Sequence, residues 1–222
     1  MLNIEYKYQR ICSLQGHVLG YELLIDPVST MSCSDLNVYE EVISNYKYTL
    51  SLFERLSVKL DKGMISRDEL IGKRIFINVE IEHLNFVEII RAIDELSTKL
   101  ARFGGGLVIE ITERVPRLSS QSYTYALDFL RMVGVTLAVD DLNISEDYRH
   151  DLVKKGFFDF VKLEWDVEKR KEIVSFISNH SSFNIILERV EDSAEVRSSF
   201  SEMGEVWGLQ GFYCCRGVPV YL

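Results

Sequence analysis

The chain has 222 residues, enough for one large domain or two small ones at roughly 150 residues each. Its 34 acidic and 25 basic residues leave a formal net charge of −9, which repels phosphate backbones and argues against a nonspecific nucleic-acid coat. At 47% hydrophobic and 27% charged residues, it has the apolar surface to offset chain entropy, so wholesale disorder is excluded.

The predicted elements follow in chain order. Leu2 to Leu14 is an extended, tyrosine-rich run, Gln15-Gly16 is turn-like, and Val18 to Ile25 is a second extended run, so the chain opens on a hairpin. From Val38 to Leu60, Val42, Ile43, Tyr46, Leu50, Phe53 and Leu56 recur at helical spacing. Arg74 to Val79 is a short β-rich run, Leu84 to Leu100 is a helix, and Gly104 to Gly106 breaks the chain before the strand Leu107 to Ile111. Gln121 to Val133 is helical, Val135 to Val139 a strand, and Leu152 to Lys155 a short helix. Phe158 to Leu163 is a strand, Trp165 to Asn179 a helix, and Asn184 to Leu187 a strand. Ser193 to Met203 is a helix, and Glu205 to Gln210 a last strand. Apolar strands alternating with amphipathic helices predict parallel βαβ units. About eight strands in one domain spanning residues 1–222 predict an α/β fold, a (β/α)8 barrel that begins with a hairpin-like strand pair.

No stretch of about 18 apolar residues occurs, so no membrane span is expected. The opening MLNIEYKYQR lacks the layout of a signal peptide. Cys12, Cys33, Cys214 and Cys215 form no CxxC pair, and His17, His83, His150 and His180 are scattered. Reduced thiols and a cytoplasmic location are the expectation, with no zinc site of cysteine or histidine. Gly104-Gly105-Gly106 precedes a strand, so it reads as a turn at the opposite rim rather than a phosphate cradle.

Polar residues recur where the strands end. Glu22 lies in the second run; Asn78, Glu110, Asp140, Asp141, Lys162, Glu188 and Gln210 follow at the ends of the later ones. Parallel barrel strands deliver such ends to one rim, so these eight residues are expected to share a pocket. Five carboxylates and one lysine cannot balance: two carboxylates about 4 Å apart repel by roughly 4 kcal/mol at an effective dielectric near 20. Either several acids hold protons, or divalent cations enter. Oxygen ligands without Cys or His favour Mg²⁺ or Mn²⁺, and two such ions would bind an anion and activate water for phosphodiester hydrolysis. Each residue alone has an ordinary reading as a turn, a cap or a solvated end; the joint placement carries the inference.

In this order the residues resemble the EAL-domain family of cyclic di-GMP phosphodiesterases. Glu22-Leu23-Leu24 matches its Glu-Ala-Leu signature with one substitution. Asn78, Glu110-Ile111-Thr112-Glu113, Asp140-Asp141, Asp159 to Lys162, Glu188-Arg189-Val190-Glu191 and Gln210-Gly211 match further motifs. The resemblance implies a barrel with two Mg²⁺ or Mn²⁺ ions on Glu22, Asn78, Glu110, Asp140, Asp141 and Glu188. It implies Lys162 as the group that orients the attacking water, Glu188 as general base, and Gln210 as holder of a water. Glu113 and Glu191 would support the site, Glu113 by bracing the loop after Asp141. The substrate would be cyclic di-GMP and the product linear 5′-pGpG, with no direct nucleic-acid or membrane contact.

The chain departs from the family at Asp26, where an arginine that meets substrate phosphate is usual. It departs again at Leu142 to Tyr148, a loop with no glycine, at Arg189 in place of a glycine, and at Gly217 in place of a proline. These departures leave a second expectation open. The barrel would then act by binding, as a cyclic di-GMP sensor or as a regulator that grips a protein partner, with a homodimer possible in either case.

Overall fold

A computed structural model describes residues 6–25, 40, 42–115, 120–191, 198, 206–215 and 217–220. The strands are β1 (Tyr6–Cys12), β2 (Val18–Ile25), β3 (Arg74–Val79), β4 (Gly106–Ile111), β5 (Thr136–Val139), β6 (Phe160–Glu164), β7 (Asn184–Glu188), β8 (Gly208–Gln210) and β9 (Val218–Val220). Between them lie α1 (Tyr46–Asp61), α2 (Arg67–Leu70), α3 (Val87–Arg102), α4 (Ser120–Met132), α5 (His150–Lys154) and α6 (Arg170–Asn179).

Strands β2 to β8 pair in sequence order, each parallel to the next. β1 closes the ring by pairing antiparallel with both β2 and β8. The expected barrel and its opening hairpin are therefore present. β9 was not expected from the sequence. It continues the β8 side of β1, with Tyr6 opposite Val220 and Tyr8 opposite Val218.

Both faces of these strands are buried, which is why they read as continuous apolar runs. The outward residues Ile75, Ile77, Ile109, Leu137, Val161 and Leu187 belong to one core with Ile89, Ile93, Leu96 and Leu100, the buried stripe of α3. The inward residues Ile11, Phe76, Val108, Ala138, Phe160 and Ile186 form a separate core inside the barrel, with Trp207 against it. Phe160 meets Trp207 edge-on at 4.9 Å and Phe76 at 5.4 Å. Two strands contribute glycine at this level. A Cβ on Gly20 would lie 2.5 Å from the Arg74 carbonyl oxygen, and one on Gly208 would lie 2.7 Å from Ile11 Cγ2. The layer is closed by absent side chains as well as by aromatic ones.

Strand periodicity then sets the site. Two residues on, each strand returns to the same face. Gly20 leads to Glu22, Phe76 to Asn78, Val108 to Glu110, Ala138 to Asp140, Phe160 to Lys162, Ile186 to Glu188 and Gly208 to Gln210. An apolar floor thus carries a polar layer directly above it.

Local polar chemistry moved several expected boundaries. The helix expected from Val38 breaks at Asn45, whose side chain caps α1 by accepting from the Lys47 amide at 3.1 Å. The helix expected from Leu84 is preceded by a 3₁₀ turn, Ile81–Asn85, and starts at Val87. The helix expected from Trp165 starts at Arg170, because Asp166 accepts from the Glu168 amide at 2.8 Å and holds a turn there. The expected helix from Ser193 to Met203, apart from residue 198, and the position of Asp26 lie outside the described residues. Among the described residues, no helix is long and apolar enough to cross a membrane.

Candidate active site

Lys162, 1% exposed, stands at the centre of the polar layer. Its ammonium lies 2.7 Å from Asp140 Oδ1, 2.8 Å from Glu188 Oε1, 2.9 Å from Glu110 Oε1 and 3.2 Å from Glu22 Oε2. Asn78 Nδ2 donates to Glu22 Oε1 at 2.7 Å. Gln210 Nε2 donates to Glu22 Oε2 and, at 3.0 Å, to Gln9 Oε1. Seven of the eight rim residues are thus joined in one network, although they span positions 22 to 210. Asp141, the eighth, is exposed beside it and adopts φ 43°.

The network opens on a cavity of about 440 Å³ lined by Glu22, Asn78, Asp140, Asp141, Lys162, Glu188, Glu191 and Gln210, with Gln9, Arg189 and Phe212 at its sides. A neighbouring cavity of about 170 Å³ shares Asn78 and Asp140 and extends to Glu80, Glu113 and Arg114. Glu113 was expected as a loop brace. Its carboxylate lies with those of Asp140 and Asp141, one oxygen of each within 4.8 Å of the others. Glu191 is exposed at the cavity wall.

Four carboxylates around one ammonium leave excess negative charge, and the titration behaviour reflects it. Burial pushes Glu110 well above the ordinary carboxylate range, with repulsion from Glu22 adding to it. Burial raises Glu188 in the same way, against the pull of Lys162. Asp140 is pushed up to about 6, first by burial and then by Glu22, with Lys162 opposing. Burial alone would lower Lys162, but Asp140, Glu110, Glu188 and Glu22 outweigh it and hold the ammonium charged.

The donor set fits a hard divalent cation. Asn78 Oδ1, Glu110 Oε2, Glu188 Oε2 and Gln210 Oε1 are buried and accept no hydrogen bond. Unpaired buried oxygens are costly. Collected at one rim without sulfur or imidazole, they suit Mg²⁺ or Mn²⁺.

Two contributors escaped the sequence reading. Gln9 reaches the rim from the middle of β1, the antiparallel strand, where it lies opposite Glu22. Arg149, fully buried, looks in the sequence like any loop arginine. Its Nη1 donates to the carbonyls of Ile111 at 2.8 Å and Asp140 at 2.6 Å, and Nη2 to the Asp141 carbonyl at 3.4 Å. Nη2 and Nε hold the Asp147 carboxylate at 2.6 and 2.9 Å. All five guanidinium hydrogens are engaged, and they fix the backbone that carries Asp140 and Asp141. Arg149→Met is expected to destabilise the protein by about 3–5 kcal/mol, since it takes the guanidinium from the Asp147 carboxylate and from three backbone carbonyls. Urea denaturation measures this, and a change under about 1 kcal/mol would contradict the bracing role.

No family model matches the chain. Over 228 residues it is 27% identical to the probable cyclic di-GMP phosphodiesterase PdeN of Escherichia coli strain K12. That match covers 96% of this chain and 43% of the relative, so the chain spans less than half of that protein's length. The EAL domain of Mycobacterium smegmatis DcpA superposes with a TM-score of 0.69 at 18% identity, covering 97% of this chain and 93% of that one. Klebsiella pneumoniae BlrP1, in a manganese and cyclic di-GMP complex, gives 0.70 at 19%, over 97% and 56%. The EAL-like domain protein YdiV gives 0.65 at 15%, over 97% and 92%. With the rim motifs in order, a sequence match across nearly the whole chain and the same barrel, the chain is similar to EAL-domain proteins in sequence and shares their fold.

Proposed function

We propose that this barrel hydrolyses cyclic di-GMP to linear 5′-pGpG with two divalent cations, Mg²⁺ or Mn²⁺, at the rim. The observation that carries the reading is the set of buried, unpartnered oxygens on Asn78, Glu110, Glu188 and Gln210 around one lysine. The similarity to a probable cyclic di-GMP phosphodiesterase and to a barrel complexed with manganese and cyclic di-GMP supports it.

Glu22, Asn78, Glu110, Asp140, Asp141 and Glu188 would hold the ions. When bound, these supply charge neutralisation at the phosphodiester and activation of water. The chain's own groups do the rest. Lys162 fixes four carboxylates in one arrangement and keeps a positive charge beside the attacked phosphorus. Glu188 keeps Oε2 unpartnered to take the proton of the attacking water. Gln210 Oε1, buried and without a hydrogen-bond partner, would accept from a water. A bond forms between water oxygen and phosphorus and the bond to the 3′ oxygen breaks, leaving a 5′-phosphate and a 3′-hydroxyl.

Incubation with cyclic di-GMP and Mn²⁺, followed by chromatography, tests the reading. Wild type is expected to release pGpG, and Glu22→Ala to lose at least a hundredfold in rate. No pGpG above the Glu22→Ala background would overturn it. The glycine-free loop Leu142 to Tyr148 favours a second reading, in which the barrel binds cyclic di-GMP or a protein partner without turnover. Saturable binding of intact cyclic di-GMP with no product would establish that instead.

A further inference from the structure

Glu22, Asp140, Asp141, Glu188 and Glu191 line the rim cavity, and among its described lining residues the only cations are Lys162 and Arg189. Lys162 is buried and engaged by four carboxylates. Arg189 differs in every respect. Its side chain is 69% exposed, and its Nη1 pairs at 2.7 Å with Glu164 Oε1, itself 49% exposed. A pair this open adds little to stability and yields readily to another anion.

The backbone at Arg189 is also unusual. Its φ of 54° lies in the left-handed region, which a residue bearing a Cβ occupies at a cost. The neighbours enforce this conformation. Val190 donates its amide to the Gln210 carbonyl at 2.9 Å, and its own carbonyl accepts from Tyr213 at 3.0 Å. Gly211 packs so closely that a Cβ there would lie 2.5 Å from the Val190 amide nitrogen. Glycine would suit position 189 better for folding. The arginine is strained and its side chain largely exposed, yet it stands in the wall of an acidic cavity.

We propose that Arg189 is a substrate-binding residue whose guanidinium exchanges Glu164 for a phosphate oxygen of the cyclic dinucleotide. The proposal rests on the phosphodiesterase reading and adds to it the group that attracts the anionic substrate to an acidic rim. The planar fork of arginine matches two phosphate oxygens, which a lysine meets only as a point charge.

The test is calorimetric titration of the intact protein with cyclic di-GMP, using Ca²⁺ as the divalent ion, together with KM and kcat in Mn²⁺. Arg189→Gly relaxes the backbone, so it is expected to fold with an unchanged or higher melting temperature. Its Kd and KM are expected to rise roughly tenfold with kcat nearly unchanged, and Arg189→Lys is expected to recover part of the loss. Equal binding by Arg189→Gly would overturn the proposal. Tighter binding would also overturn it, and would show the arginine to be an obstruction. A wild type that binds no cyclic di-GMP would overturn the phosphodiesterase reading itself, an outcome read before any variant is made.

Discussion

Lys162→Met is expected to lose about a thousandfold in turnover and to destabilise the metal-free protein by about 3–5 kcal/mol. Methionine nearly keeps the length of the side chain but removes the charge and its N–H donors. Glu22, Glu110, Asp140 and Glu188, each within 3.2 Å of the ammonium, would then face one another with nothing between them. Each unscreened pair about 4 Å apart costs on the order of 4 kcal/mol at an effective dielectric near 20, so the acids would take up protons instead. For a chain of this size the melting temperature is expected to fall by about 10 °C. Excess Mn²⁺ is expected to restore much of the stability, because a divalent ion can replace the missing charge. It is not expected to restore turnover, because the proposed mechanism also needs the lysine's positive charge beside the phosphate. Differential scanning calorimetry with and without Mn²⁺, paired with the pGpG assay, separates the two effects. A melting temperature within a degree or two of wild type would contradict the central place given to this lysine.

Proton release on metal binding is the second large effect. Asp140 is pushed up to about 6 in the folded protein from 3.8 when free, and burial also raises Glu110 and Glu188 well above the ordinary carboxylate range. Between these values the folded state holds protons that the unfolded state has lost. Stability of the metal-free protein is therefore greatest below about pH 4 as far as these groups are concerned, and falls as pH rises through 6 and beyond. Mn²⁺ reverses the trend, since it needs the carboxylates ionised and displaces their protons. Below pH 6 its affinity is expected to climb roughly tenfold per pH unit for each proton displaced. Calorimetric titrations of Mn²⁺ in buffers of different ionisation enthalpy count the protons. At least one per protein is expected at about pH 6, and none would contradict the crowded-carboxylate account. Melting in chelator at about pH 5 and pH 7.5 checks the stability trend directly.

The rim was legible because barrel geometry turns sequence spacing into position. Asn78, Glu110, Asp140, Lys162, Glu188 and Gln210 each close an apolar run, and parallel pairing carries such ends to one rim. Helix starts were less legible. Asn45 and Asp166 side chains compete locally with the helical backbone, and periodicity is blind to that competition. Gln9 was missed because the rule of strand ends assumes a parallel strand, while β1 runs the other way. Arg149 was missed because nothing near it in the chain distinguishes a buried arginine from an exposed one; its partners Ile111 and Asp140 become neighbours only when the loop folds back.

Sequence alone determined the alternation of strands and helices, the polar residues that close the apolar runs, and the excess of acid over base among them. Those properties follow from local periodicity and from counting charges. Tertiary structure decided which oxygens are left unpaired, that one ammonium joins four acids, and that position 189 holds an arginine in a left-handed turn beside the cavity. Pairing and burial depend on distances between residues far apart in the chain, and closing the barrel through β1 is what sets those distances.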